Sequence, residues 1–204
     1  MGMREVLPRV FHWTAVHPRI GVPVSSYFVA DHGLLIDPMQ PPEGAEALRE
    51  LGEPKQILLT NRHHRRDAEA LAETFGIPVW CEGRGCADLG GLPGLRPFSA
   101  GEDLPFGVAT HAVGTPHADE TAFLLSGEPP VLVLGDCIVR MGDGPLGFVP
   151  DRHLGPDPET VKRELRRAVS TLLPLHFDHL LLAHGNPWIG GAHEALTEFI
   201  ASEC

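Results

Sequence analysis

Short apolar runs alternate along this chain with amphipathic stretches of helical spacing, and this alternation most restricts the possible folds. The runs are 24–30 (VSSYFVA), 33–37 (GLLID), 56–60 (QILLT), 77–81 (IPVWC), 107–113 (GVATHAV), 121–126 (TAFLLS), 131–136 (VLVLGD) and 179–184 (HLLLAH). Runs of this length are typical of buried strands. If the helices pack outside layers that consist mostly of strands, the fold belongs to the α/β (α+β) class. We therefore predict a four-layer αβ/βα sandwich.

Four amphipathic stretches predict helices. They are 42–51, closed by Gly52; 66–75, closed by Gly76; a helix capped by Asp157 with Pro158 in its first turn; and 192–204. Residues 82–106 are rich in Gly and Pro, which predicts a long loop. Because we find no internal repeat or linker, we predict a single domain over 1–204.

The charge balance excludes two classes of partner. The chain has 27 acidic residues against 16 Lys plus Arg, a net charge of −11. Nucleic acids and anionic membranes both require a basic surface, so neither is expected. No apolar run approaches the roughly 20 residues of a membrane span, and no secretory signal is evident. We therefore predict a cytoplasmic protein with reduced cysteines that acts on a small-molecule substrate or ligand.

Four residues that can bind metals occur beside predicted strands. His63 follows the run 56–60, Asp136 and His184 close two later runs, and His117 lies just before the run 121–126. Strand ends converge on one edge of a sheet, where rigid strands position loop residues. Each residue alone is more typical of structure than of a ligand, but their common placement indicates a site.

These segments together resemble the metallo-β-lactamase fold hydrolases. In that family one strand ends in THxHxDH, a later segment supplies a His before a strand, and two further strands end in GD and GH. The matching segments are TNRHHRR (60–66), GTPHADETAFLL (114–125), VLVLGD (131–136) and LLLAHG (180–185). The hairpin SSYFVADHGLLIDP, with Asp37 at its end, is also similar to the family's opening strands.

The resemblance implies a damaged dinuclear site. Asn61 replaces the first His of the motif, His63 matches the second, and Arg65 and Arg66 replace its final Asp and His. The remaining expected ligands are present as His117, Asp136 and His184. Moving the motif by two residues would align Asp67 with the family Asp, but it would separate the motif from the strand end. We keep the first alignment.

The two arginines indicate that the second metal is lost, because a fixed positive charge repels a dication. The resemblance then implies one divalent ion, zinc or iron, held by His63, His117 and Asp136. Asp136 and His184 are the predicted catalytic residues. The predicted supporting or substrate-contacting residues are Asn61, Arg65, Arg66 and Asp37. The implied activity is hydrolysis of an ester, thioester, lactone or phosphodiester, with the metal activating water.

Two alternatives stay open. The chain could be a metal-free binding or regulatory protein in which Arg65, Arg66 and His64 line an anion pocket. It could also be a mononuclear Fe(II) oxygenase, since two imidazoles and one carboxylate suit that ion. We expect the His64 side chain to be exposed and Cys137 to be buried without a nucleophilic role. The substrate and the oligomeric state are left open by the sequence.

Overall fold

The protein contains two compact units, described here from a computed structural model that covers residues 2–202. The first unit ends at Ser99 and the second begins at Ala100. Each unit has a sheet, helices and a buried apolar core. Across residues 2–202, we find no helix with the length and apolar character that a membrane span needs. The predicted α/β class is confirmed, and the single domain over 1–204 stays a prediction.

The first unit is built on a seven-stranded sheet in which the strands are ordered as in the chain. They are β1 (Arg4–Leu7), β2 (Val10–Val16), β3 (Pro23–Val29), β4 (Leu34–Ile36), β5 (Gln56–Leu58), β6 (Val79–Glu82) and β7 (Leu95–Phe98). The first four strands pair antiparallel and the rest pair parallel. The ends of β4 and β5 therefore lie side by side at one edge of the sheet.

Three short helices and two 3₁₀ turns complete the first unit. They are α1 (Ala47–Leu51), the turn Arg62–Arg65, α2 (Ala68–Phe75), α3 (Gly83–Cys86) and the turn Ala87–Leu89. Helix α2 buries Ala68, Leu71 and Ala72, which join the core cluster of this unit. It ends at Gly76 with φ 66°, as predicted, because glycine adopts the left-handed conformation without a steric penalty. The predicted loop 82–106 instead contains α3, a 3₁₀ turn and two strands.

The second unit contains a six-stranded sheet and a small two-stranded one. Its strands are β8 (Asp103–Leu104), β9 (Val108–Ala112), β10 (Thr121–Leu125), β11 (Val131–Leu134), β12 (Val139–Arg140), β13 (Leu146–Gly147), β14 (His179–Leu182) and β15 (Trp188–Ile189). The larger sheet has the order β15-β14-β11-β10-β9-β8, with only β11 and β14 parallel among its described pairs. The carboxyl ends of β11 and β14 therefore point to the same edge.

Two helices and a 3₁₀ turn at Asp151–His153 accompany this second sheet. They are α4 (Pro158–Ser170) and α5 (Ala192–Ala201). Helix α4 starts as predicted, since the Asp157 side chain accepts a hydrogen bond from Thr160 N at 3.1 Å. Leu165 of α4 and Leu196 of α5 are fully buried in the core of this unit. Burying a leucine side chain stabilises a fold by about 2 kcal/mol.

His12 is a histidine whose buried ring lacks a hydrogen-bond partner in the part of the chain that the structure describes. It is 2% exposed on β2 and stacks on Tyr27 with ring centroids 4.9 Å apart. Neither ring nitrogen has a partner among residues 2–202. Burial and then the charge of Arg4 lower the pKa of His12 from 6.5 to about 4. The ring is therefore neutral at pH 7 and leaves two polar atoms unsatisfied.

We expect His12→Phe to stabilise the protein at pH 7 by about 1 kcal/mol, because it keeps the stacked ring and removes the unsatisfied nitrogens. The unfolded chain takes up a proton at His12 near pH 6.5, whereas the folded chain does so only near pH 4. The stability of the natural protein should therefore fall as the pH drops through this window, and the advantage of the variant should grow. Urea denaturation at several pH values measures both effects, and a constant difference would refute this account.

Candidate functional site

In the second unit, two imidazoles flank one carboxylate. His117 Nε2 lies 3.4 Å from Asp136 Oδ2, and His184 Nε2 lies 3.1 Å from Asp136 Oδ1. The three side chains are 28%, 15% and 22% exposed, in the order His117, Asp136 and His184. They are thus partly withdrawn from water yet reachable by a small molecule. We refer to His117, Asp136 and His184 as the Asp136 cluster.

The sheet topology brings these residues together. Asp136 follows β11 and His184 follows β14, and these neighbouring strands run parallel. Strand β10 runs antiparallel to β11, so the loop before β10, which carries His117, lies at the same edge. The sequence-based expectation that these three residues share an edge agrees with this geometry.

Glu120 connects two of the loops that carry the cluster. Its backbone N–H donates to the carbonyl of His117 at 3.0 Å, and its Oε1 accepts from Cys137 N at 3.2 Å. Burial, followed by Glu120 and Asp136, raises the pKa of the Cys137 thiol well above its ordinary value. Cys137 is fully buried, as predicted, and a thiol held neutral in this way is not a nucleophile at pH 7.

The loop after β14 is held against β12 by Arg140. The Arg140 backbone N–H donates to the His184 carbonyl at 3.0 Å. Its guanidinium donates to the Pro187 carbonyl at 2.9 Å and lies 4.4 Å from the centroid of the Trp188 ring. Gly185 has φ 92°, and a Cβ placed on it would lie 2.2 Å from the Arg140 carbonyl oxygen. Only glycine fits this close approach, which positions His184.

In the first unit, a buried histidine binds the carboxylate at the end of β4. His64 Nδ1 lies 2.9 Å from Asp37 Oδ2 and 2.7 Å from Thr60 Oγ1. Asp37 also accepts from Thr60 N at 2.9 Å and from Thr60 Oγ1 at 2.7 Å. Since an ionised carboxylate is only an acceptor, Nδ1 carries the proton and Nε2 is the basic nitrogen of a neutral His64.

Burial raises the pKa of Asp37, but His64, Arg66 and the Thr60 N–H lower it by more, so the net pKa lies below its ordinary value. Asp37 is therefore ionised at pH 7. A carboxylate on one ring nitrogen is the arrangement that orients metal-binding and catalytic histidines through the other nitrogen.

The expectation that His64 is exposed is wrong, because its side chain is 5% exposed. Asn61 explains the error, since its side chain accepts from His63 N at 2.9 Å and caps a 3₁₀ turn. The turn folds residue 64 back over Thr60, whereas an extended segment would point it outward. Asparagine is a preferred helix cap, so Asn61 is the sequence feature that could have indicated this turn.

Three of the predicted site residues of the first unit line a cavity of about 500 Å³. His63 is exposed and lines this cavity together with Arg65 and Arg66, whereas His64 is not among its lining residues. Asn61 is fully buried and acts through the cap. The ligand set of His63, His117 and Asp136 stays a prediction. Of these three residues, His117 and Asp136 contact each other in the second unit.

Comparison with known proteins finds similar structures but no similar family model or curated sequence. No protein-family model matches the sequence, and no curated protein sequence does. Among solved structures, a B3 metallo-β-lactamase with an active-site glutamic acid is similar with a TM-score of 0.63 at 19% identity, over 98% of this chain and 89% of that one. The chain has the metallo-β-lactamase fold.

Two further structures with this fold are similar. A mutant flavo di-iron protein from Thermotoga maritima has a TM-score of 0.72 at 17% identity, over 97% of this chain and 61% of its own. A metallo-β-lactamase from Staphylococcus aureus subsp. aureus COL has a TM-score of 0.66 at 16% identity, over 96% of this chain and 63% of its own. The present chain thus spans about three fifths of these two proteins. At identities this low, the structural similarity establishes the fold and does not identify the activity.

The donors of the Asp136 cluster are of the kind that binds divalent ions. Imidazole nitrogens and a carboxylate are the ligands that zinc and non-haem iron prefer in proteins. The two imidazoles contact opposite oxygens of Asp136. The chemistry of the donors therefore suits a metal.

Proposed function

We propose that this metallo-β-lactamase-fold protein is a hydrolase that uses one divalent metal ion held by His117, Asp136 and His184. The contact of two imidazoles with opposite oxygens of one carboxylate carries the proposal. The likeness to two metallo-β-lactamases supports a metal-dependent activity on this fold. We propose His184 in place of His63 as the third ligand, because His63 is exposed on the cavity of the first unit.

The proposed number of ions is one because the motif of the first unit has changed. Arg65 and Arg66 stand where the resemblance places an aspartate and a histidine. Their guanidinium groups stay protonated at any accessible pH and cannot donate a lone pair to a metal. Arg66 is held in place by hydrogen bonds from its Nη1 to the carbonyls of Ser25 and Asp37. These substitutions argue against a second ion.

The residues in and around the Asp136 cluster have different chemical roles. A bound divalent ion would polarise the substrate's carbonyl or phosphoryl oxygen and lower the pKa of a water. Asp136 holds the two imidazoles in place and can accept the proton that the attacking water loses. Glu120 keeps the loops of Asp136 and His117 together. We propose an ester, thioester, lactone or phosphodiester as the substrate, since in each of them water attacks the carbon or phosphorus that bears the polarised oxygen, and the bond to the alcohol or thiol breaks.

Metal content tests the proposal. Protein purified without a metal-affinity tag should contain about one zinc or iron per chain, and Asp136→Asn should weaken metal affinity by about 100-fold because the charged ligand is lost. Asp31→Asn is the matched control, since Asp31 forms an exposed ion pair with Arg9. Elemental analysis and competition with a chelator give the stoichiometry and affinity. Equal metal content in the two variants would rule out the cluster as the metal site.

A second pair of variants distinguishes the ligand sets. His184→Ala should lose the metal and the hydrolysis of activated esters, whereas His63→Ala should keep the metal. The reverse result would restore His63 as the ligand and leave His184 as an acid or base. Iron in place of zinc, with oxygen consumption and no ester hydrolysis, would favour the oxygenase, because the same donor set suits Fe(II).

A further inference from the structure

The cavity of the first unit is rich in positive charge. Four arginines and two histidines line it: Arg19, Arg62, Arg65, Arg66, His17 and His63. Asp67 and Asp88 are the carboxylates among its lining residues. The lining therefore carries two net positive charges with neutral histidines, although the chain as a whole has a net charge of −11. A positive concavity on an acidic protein attracts anions to that position.

Arg66 is held rigidly in the wall of this cavity. Its Nη1 donates to the Ser25 carbonyl at 2.5 Å and to the Asp37 carbonyl at 2.6 Å. These bonds fix the position of the guanidinium, and the ionised Asp37 carboxylate, whose pKa Arg66 lowers, offsets part of its charge. The backbone of Arg66 has φ 40°, a strained value for a residue with a side chain. Such strain persists where the surroundings impose it, and it is common at ligand-binding sites.

Two other arginines have carboxylate partners. Arg62 pairs with Asp88 at 2.9 Å, and Arg65 pairs with Glu69 at 2.5 Å. Asp88 and Glu69 are 65% and 45% exposed, so water screens these pairs. The pKa of His17 is lowered first by burial and then by Arg66, Arg19 and His64, whereas Asp67 raises it. Arg66 and Arg19 are therefore close enough to act on a group in the cavity lining.

We propose that this cavity binds a phosphate group, either as the free ion or as a phosphate ester. Phosphate carries about 1.5 to 2 negative charges at neutral pH, so the arginines of the lining attract it. Its several oxygens can accept from guanidinium groups on different segments, here Arg19 between β2 and β3 and Arg66 after β5. The proposal goes beyond the proposed hydrolysis and does not rest on it, because none of the residues that line the cavity belongs to the Asp136 cluster.

The test measures phosphate binding in full-length protein that carries Asp136→Asn and has been treated with a chelator, so that no metal of the cluster contributes. Isothermal titration calorimetry at fixed ionic strength should give a Kd of about 1 mM or lower for inorganic phosphate. Arg66→Gln should weaken binding about tenfold and Arg19→Gln at least about threefold, because each removes a charged donor. Arg19 is exposed, so its variant keeps the proposal testable if Arg66→Gln does not fold.

The control is Arg49→Gln, which changes an arginine outside the cavity that pairs with Glu46. It should bind phosphate as the parent protein does. Phenyl phosphate that binds more tightly than inorganic phosphate would identify an ester as the ligand, and the opposite order would identify the free ion. The proposal fails if malonate binds as well as phosphate, or if the Arg19 and Arg49 variants bind phosphate equally.

Discussion

Gly185→Ala should lower the free energy of unfolding by about 3 kcal/mol or more. The new Cβ would lie 2.2 Å from the Arg140 carbonyl oxygen, so the backbone of one of the two loops has to move. Overpacking of this kind costs about 1–3 kcal/mol, and the left-handed φ of 92° adds about 1–2 kcal/mol for a residue with a Cβ. The movement should also displace His184, so we expect metal affinity to fall together with stability.

Gly190→Ala separates the two contributions. Gly190 also has a positive φ, 78°, but a Cβ there would meet nothing within 4 Å. It should therefore lose only the backbone contribution of about 1–2 kcal/mol and should keep its metal. Urea denaturation and chelator competition on both variants measure the difference. Equal losses of stability would show that the loops are soft enough to admit the methyl group, and that Gly185 does not position His184.

The strands that the sequence predicts best are those with continuous apolar runs. The predicted runs 24–30 and 131–136 correspond to β3 and β11, which are buried on both faces over most of their length. Strands β1 and β7 were not predicted. The exposed residues of β1 break the apolar pattern, and Pro97 interrupts β7. A proline is tolerated there because β7 lies at the edge of its sheet, and that position is not visible in the sequence.

The residues of the candidate site also differ in how well the sequence predicts their positions. His117, Asp136 and His184 could be predicted because strand ends meet at a sheet edge, and their contacts follow from that topology. His64 could not be placed, because its direction depends on a 3₁₀ turn capped by Asn61. One residue of rotation in such a turn decides whether His63 or His64 is buried. The contacts of Glu120 and Arg140 are also long-range, with no local pattern that indicates them.

Asp37→Ala should lower the free energy of unfolding by about 4 kcal/mol. It removes the acceptor of two hydrogen bonds from Thr60 and leaves His64 Nδ1 without its buried charged partner. Each buried donor left without its acceptor costs about 1–3 kcal/mol. Asp37 also has φ 45°, which asparagine tolerates better than alanine. Asp37→Asn should therefore lose less, about 2 kcal/mol, since the amide oxygen can still accept from Thr60 N.

The pH dependence identifies the carboxylate charge as the cause. Because the pKa of folded Asp37 lies below its ordinary value, its stabilisation is present above about pH 4 and is lost as the pH falls through the folded pKa. The difference between the natural protein and Asp37→Ala should shrink below about pH 4. Asp31→Ala, which breaks only the exposed pair with Arg9, should cost less than about 1 kcal/mol. A pH-independent loss for Asp37→Ala would instead assign the effect to packing and backbone strain, with no contribution from the charge that orients His64.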